Sequence, residues 1–420
     1  GDHWGERMRM ASRPVAGGVT LAVVLAGIAV AGDRDGVPRS GVRVELIDGE
    51  PIEGKRVELV RDGLVVKDRR VPAGRLLRWD RFDADPQAGK AKLAAGVGGR
   101  DEVRLAGGDR LICRVESIDD EHLVVRWPLV AGQSAWRIPL EQVRTVVLRG
   151  APKEIVRRSL ARDRRRSADE LWLRGGDRLS GDLKGLADGV VVLATESGSR
   201  RVARESVAVL SMNPELQVAS RRPSRHVRVG FVDGSRLTAA WPKAMADGLI
   251  RLVFDDRTRH DVAVRSIRSV QYFGNPVVRL PGMKPRQAVH TPFLGAVRPP
   301  VVDGSIGGGP LVVAGRWTAS GLGVTSRTRM TWALGRHHRR FCARVAIDDS
   351  ADGAGDVVFR VLVDGRAAWS SGPLTGRDRP KRVGPIDLEG AGSLTLEVDY
   401  GRRADAGDHA VWLDPRLLTD

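Results

Sequence analysis

One turn chemistry comes back four times in the first two thirds of the chain. Asp48-Gly49, Gly107-Gly108-Asp109, Gly175-Gly176-Asp177 and Asp233-Gly234-Ser235 each follow a short alternating run, at residues 42–46, 103–105, 171–173 and 227–229. The glycines recur about every 60 residues, and self-similarity at such a period indicates tandem small units rather than one large domain. Each turn leads to a second strand and then to an apolar third, at residues 64–66, 123–125, 190–193 and 249–253. The last three repeats close with strands at 143–148, 207–212 and 267–273. Five short strands with tight glycine hairpins suit a small SH3-like or Sm-like barrel; the alternative is a continuous β-meander without closure. The expected units span 42–84, 101–150, 169–213 and 225–274. The first is the least regular, and its tail, residues 71–82, fits the pattern poorly.

Between the second and third units, residues 151–168 read as an Arg-rich helical linker. Pro152 suits a helix start, and Ile155, Val156 and Leu160 form one apolar stripe. Arg157, Arg158, Arg162, Arg164, Arg165 and Arg166 take the other face. A Pro/Gly-rich lead-in, 275–309, precedes the last region, 310–420. There Phe341, Ala343, Val345 and Ile347 share one face, as do Val357, Phe359, Val361 and Val363, and again Leu394, Leu396, Val398 and Tyr400. Period-two runs separated by turn-rich loops indicate a β-sandwich. The expected fold is therefore all-β throughout.

Motifs in this last third follow a recognisable order: Gly321-Leu322-Gly323-Val324, residues 341–349 and 355–365, Ser371-Gly372-Pro373-Leu374, and Asp408-His409-Ala410-Val411-Trp412. The region resembles NPCBM/NEW2 domains, grouped with family-51 carbohydrate-binding modules, and its lead-in resembles planctomycete members. The resemblance implies a jelly-roll sandwich that binds glycans, in some members with a structural calcium. Two positions depart from it. Thr325 stands where the family usually has His, and Val411 where it usually has Asp. Both changes remove a polar group able to bond a ligand.

Sugar recognition needs an aromatic face and polar partners for hydroxyls. Trp412 with Asp408 and His409 offers that combination, and Trp369 and Thr325 could join it. Trp412 and His409 could equally serve to pack the last strand. The run Asp348-Asp349-Ser350-Ala351-Asp352-Gly353 has oxygen-bearing residues at alternate positions followed by Gly, as a calcium loop begins, which makes Asp348, Asp349 and Asp352 candidates, but Phe359 stands where an EF-hand needs its bidentate Glu; a plain acidic turn is the other reading. His337 and His338, adjacent on a strand, point to opposite faces and suit a solvated hairpin better than a metal.

The net charge is +17 and the pI about 10.9, which raises acidic polymers as partners. Part of that excess reflects an Arg-, Ala- and Gly-rich composition of the kind GC-rich coding produces. The Arg-rich linker could bind anionic envelope polymer, but lacks interleaved aromatics for base stacking. Residues 1–31 read as a signal peptide or an N-terminal anchor: Arg9 and Arg13 precede the uncharged apolar run 15–31, and Ala29-Val30-Ala31 fits signal peptidase. Export argues against nucleic acid as a partner. Cys113 and Cys342 fall in different units and make no disulfide framework. No Gly-x-Ser-x-Gly, His-Glu-x-x-His or phosphate-binding loop is present. The reading that results is a secreted or envelope-bound, non-enzymatic glycan binder, although Asp and Glu are plentiful enough to leave a carboxylate pair for glycoside hydrolysis open; the alternative is an envelope scaffold whose sandwich has lost sugar binding and whose repeats bind protein or anionic polymer.

Overall fold

A computed structural model describes residues 23–24, 40–60, 62–83, 99–162, 166–245, 248–254, 258–293, 295–402 and 404–419. Most of the expected export segment, with Arg164 and Arg165 of the linker, lies outside these residues. Within that segment, Val23–Val24 forms a two-residue strand paired with Leu59 and Glu58. No helix among the described residues is long and apolar enough to cross a membrane.

The turn glycines are required by backbone geometry. Gly49, Gly108, Gly176 and Gly234 have φ between +85° and +100°, a region that side-chain-bearing residues adopt at a cost. Three of the hairpins they shape close alike: Leu105 N–H donates to Asp109 O, Leu173 to Asp177 O and Phe231 to Ser235 O, at 2.8–2.9 Å. A second contact recurs in all four units, from the residue after the first strand to a short 3-10 turn before the last. Ile47 N–H donates to Arg75 O, Ala106 to Gln142 O, Arg174 to Ser206 O and Val232 to Ser266 O, at 2.8–3.0 Å. The tail of the first unit is thus regular. It consists of Arg69–Pro72, the 3-10 turn Ala73–Arg75 and Leu76–Asp83. Its pattern is hard to read because Arg78 and Asp80, on the face opposite buried Leu77 and Trp79, are buried as well.

In every unit the last strand returns beside the first. Leu76–Asp83 pairs with Ser40–Leu46, Val143–Val147 with Asp101–Leu105, Val207–Ser211 with Asp169–Leu173, and Ile267–Phe273 with His226–Phe231. Last strands also pair between units. Val146 lies opposite Leu210, joining units two and three, and Val270 opposite Trp79, joining units four and one. Two bridges, Arg110 to Arg236 and Val130 to Val262, link the two pairs of units. One contiguous apolar core runs through all four, from Val42 to Tyr272. The linker helix, Lys153–Ala161, lays Ile155 against Trp172, Ala208 and Val209.

The carboxy-terminal region is a sandwich of two antiparallel sheets. The first orders Val301–Val302, Gly321–Val324, Ala410–Thr419, His338–Ile347 and Lys381–Asp387, with Val277–Arg279 also beside Ala410–Thr419; the second orders Gln287–His290, Thr328–Ala333, Ser393–Tyr400, Asp356–Val363 and Arg366–Thr375. Its core is Phe341, Val345, Phe359, Leu396, Trp332, Trp412 and their neighbours. A small hairpin, Leu311–Val313 with Arg316–Thr318, covers part of the first sheet's outer face.

Candidate functional site

The residues expected to contact a sugar do not form an open site: Trp412, Asp408 and Thr325 are all buried. Trp412 lies opposite Leu322 and Val345 in the first sheet and is 1% exposed. Its ring meets Phe359 edge-to-face at 5.2 Å across the core, so no ring face is left for a sugar. The motif falls at the start of a strand whose even positions, Ala410 and Trp412, point inward. Asp408 is also 1% exposed; its Oδ1 accepts the Asp356 N–H at 2.9 Å. Burial pushes the Asp408 carboxyl up to about 6, and the nearby charges of Asp356 and Asp405 add to the effect. Thr325 is buried, directly after Val324, which pairs with Ala410. Trp369 is half-buried on the other sheet, opposite Val361.

His409 is the most open member of the motif, and it too is engaged. Its Nδ1 shares a 2.9 Å hydrogen bond with Ser350 Oγ, which in turn meets Ser305 Oγ at 2.9 Å. Gly307 lies directly over this chain; a Cβ there would come within 2.7 Å of His409 Nδ1. Burial holds the imidazole below its usual pKa.

The acidic turn is also spoken for. Asp348 accepts from Ser350 N and Val312 N, and Asp349 from Ala314 N and Gly315 N, all at 2.8–2.9 Å. Three of these four oxygens tie the small hairpin to the sandwich, and the fourth, which accepts from Ser350 N, caps its own turn. Asp352 caps the short 3-10 turn in a left-handed conformation. No group of three or more His, Cys, Asp or Glu among the described residues is placed to hold a metal ion. Val411 is fully buried with Leu311, Val313, Ala346 and Leu413 beneath the hairpin. An apolar residue at that position therefore completes a packed cluster.

Sequence reasoning missed two surfaces. The first is an ionic seam between the first sheet's outer face and units one and four. Arg78, 1% exposed, binds Asp80 through Nε and Nη2, and Thr318 Oγ1 and the Trp317 carbonyl of the sandwich at 2.9 and 3.1 Å. Arg344 reaches both Glu45 and Asp414, at 3.1 and 3.3 Å, and Arg416 donates to Ile47 O. Ala319 is held at both ends, its N–H by Gln271 and its carbonyl by Arg228. Burial alone would raise the Glu45 carboxyl, yet Arg344, Arg78, Arg43 and Arg416 together hold it below its ordinary value.

The second is a groove of about 480 Å³ on the outer face of the second sheet. Gln287, Thr291, Arg327, Arg329, Glu397 and Asp399 line it. Arg360 bridges Glu397 and Asp399 at 2.8 and 2.9 Å, which fixes both carboxylates. Beside it the Arg327 guanidinium lies 5.4 Å from the Tyr400 ring centre, and Phe293, 58% exposed, meets Tyr400 edge-on at 5.8 Å. Fixed carboxylates, guanidinium donors and an exposed aromatic ring, that of Phe293, are the groups that sugar recognition uses. Glu397 and Asp399 were legible as the polar face of an alternating strand; Phe293 and Arg327 come from loops and carried no periodic signal.

The NPCBM/NEW2 domain profile matches residues 280–418. Alpha-1,3-galactosidase B of Akkermansia muciniphila is 30% identical over 118 residues, covering 27% of this chain and 14% of that protein's length. A CBM51 from Clostridium perfringens GH95, solved with methyl-galactose, is 21% identical, with 34% of this chain and 99% of that one covered at a TM-score of 0.31. The tandem CBM51 modules of Sp3GH98 from Streptococcus pneumoniae are 12% identical, covering 90% and 88% of the two chains at a TM-score of 0.30. The carboxy-terminal third of this chain is an NPCBM/NEW2 domain, built as two facing sheets.

Proposed function

We propose that the chain is a non-catalytic carbohydrate-binding protein acting outside the cytoplasm, with glycan held in the groove of the second sheet. The observation that carries this reading is the groove itself: two carboxylates fixed by Arg360 beside Arg327, Tyr400 and Phe293, on a domain of NPCBM/NEW2 type. The motif residues Trp412, Asp408 and Thr325 act as its frame. Affinity for a single sugar unit is expected on the order of millimolar, so retention on a polymer would rest on several contacts at once. A glycan array, run with and without calcium, identifies the ligand class. Phe293→Ala with Arg327→Ala should then lower affinity by about tenfold or more with unchanged thermal unfolding. Equal binding by this double variant and the parent would remove the groove from consideration.

A second reading is an interaction scaffold. The burial of Trp412 and Asp408 and the apolar cluster around Val411 favour it, since they turn the family's motif to structural use. A null array at high ligand density would select it.

A further inference from the structure

Between units two and three lies an open cleft of about 930 Å³. Five arginines line it: Arg100, Arg114, Arg149, Arg174 and Arg204. Its floor is rigid. Asp101 is 4% exposed and accepts Val115 N, Arg149 N and Arg204 Nη2, each at 2.8 Å. Arg174 gives its N–H groups to three carbonyls, those of Glu205, Gly150 and Arg149. Carbonyls orient this guanidinium without cancelling its charge.

The acids of the cleft are largely committed. Asp101 answers Arg204, and Glu116 pairs with Arg126 at 2.8 Å; Glu205 stays exposed beside them. Arg100, Arg114 and Arg149 are exposed and have no carboxylate partner among the described residues. The cleft therefore carries a surplus of positive charge on a preorganised base, the arrangement that recognises oxyanions, since guanidinium forks match carboxylate and sulfate geometry. No aromatic side chain lines it, so it offers no platform for stacked bases.

We infer that this cleft is a second binding site, for a polysaccharide bearing carboxylate or sulfate groups. It is separate from the sandwich groove and stands whether or not that groove takes a sugar. Such a ligand bridges Arg100, Arg114 and Arg149 along the cleft, with Arg174 below them.

The test uses the full chain and fluorescence anisotropy at physiological ionic strength, where exposed charges farther apart than about 8 Å are screened. Labelled polygalacturonate, dextran sulfate and neutral dextran are the probes, with a single-stranded oligodeoxythymidine as a fourth. The variant Arg100→Ser/Arg114→Ser/Arg149→Ser removes three exposed side chains. Its control, Arg200→Ser/Arg201→Ser/Arg265→Ser, removes the same charge from exposed positions elsewhere. Binding of polygalacturonate or dextran sulfate, lost by about tenfold or more in the first variant and kept in the control and in Phe293→Ala/Arg327→Ala, supports the site; which polymer binds tells uronate from sulfate. Equal losses in variant and control reduce the effect to net charge and overturn it. Loss in the groove variant assigns the binding to the sandwich and overturns it, as does tighter binding of the oligonucleotide or no binding of either acidic polymer.

Discussion

The two outer faces of the sandwich are made from similar strands and meet opposite fates. Both display arginines against carboxylates at alternate positions. On the first sheet, Arg344, Asp414 and Arg416 are sealed against Glu45 and Arg78 of unit one. On the second, Arg329, Arg360, Glu397 and Asp399 stay at the surface around a groove. The same residue types thus serve as mortar on one side and as a prospective ligand surface on the other. What separates them is covering by a neighbouring unit, which no single strand encodes. Covering also changes the energetics: an exposed pair contributes about 0–1 kcal/mol, whereas removing one partner of a buried pair costs several times more.

That contrast can be broken most forcefully at Arg78. Arg78→Ala leaves Asp80, Glu45 and Asp414 buried around a missing cation, and should destabilise the chain by about 3–5 kcal/mol in urea unfolding. Arg360→Ala on the open face should cost about 1 kcal/mol or less. Similar losses at both positions would erase the distinction. A smaller effect is expected from Val411→Asp, which restores the polar residue usual in the family. Beneath the hairpin a carboxylate would enter an apolar cluster, with an expected cost of about 2–3 kcal/mol. If stability is retained, the hairpin is not a fixed cover. The last effect is read as a pH dependence and concerns Asp408, where the two sheets meet through its bond to Asp356 N. Its folded-state pKa, about 6, lies above the ordinary 3.8. Its contribution is therefore fully present below about pH 4 and is lost as pH rises through about 6. Asp408→Asn should flatten the change of Tm between pH 4 and 7, and an unaltered profile would count against a buried, reluctant carboxyl.

Much of this fold could be read from the sequence, because it is written in local rules. Gly108, Gly176 and Gly234 mark turns that other residues enter with strain, and alternation in residues 341–347 and 394–400 marks strands with one buried face. The candidate site was less legible for a related reason. Residues 410–418 are buried on both faces, by the sandwich core on one side and by the hairpin and unit one on the other. With both faces covered, alternation no longer tells core from rim, and Trp412 read as a candidate contact. Arg78 and Asp80 pose the mirror problem: they are charged residues buried in the seam, and the tail that holds them fits the repeat pattern poorly for that reason. Such burial depends on contacts more than 200 residues away in the chain, as between Arg78 and Thr318.

The pairing of Leu76–Asp83 with Ile267–Phe273 also has a consequence in time. A polypeptide leaves the ribosome amino terminus first, so one edge of that early strand stands bare until the fourth repeat has been made. Unsatisfied strand borders invite aggregation, and charged side chains are the usual deterrent. Arg78, Asp80 and Arg81 lie along this border. The groups that later weld the finished molecule together are thus well placed to guard it while it is still being built.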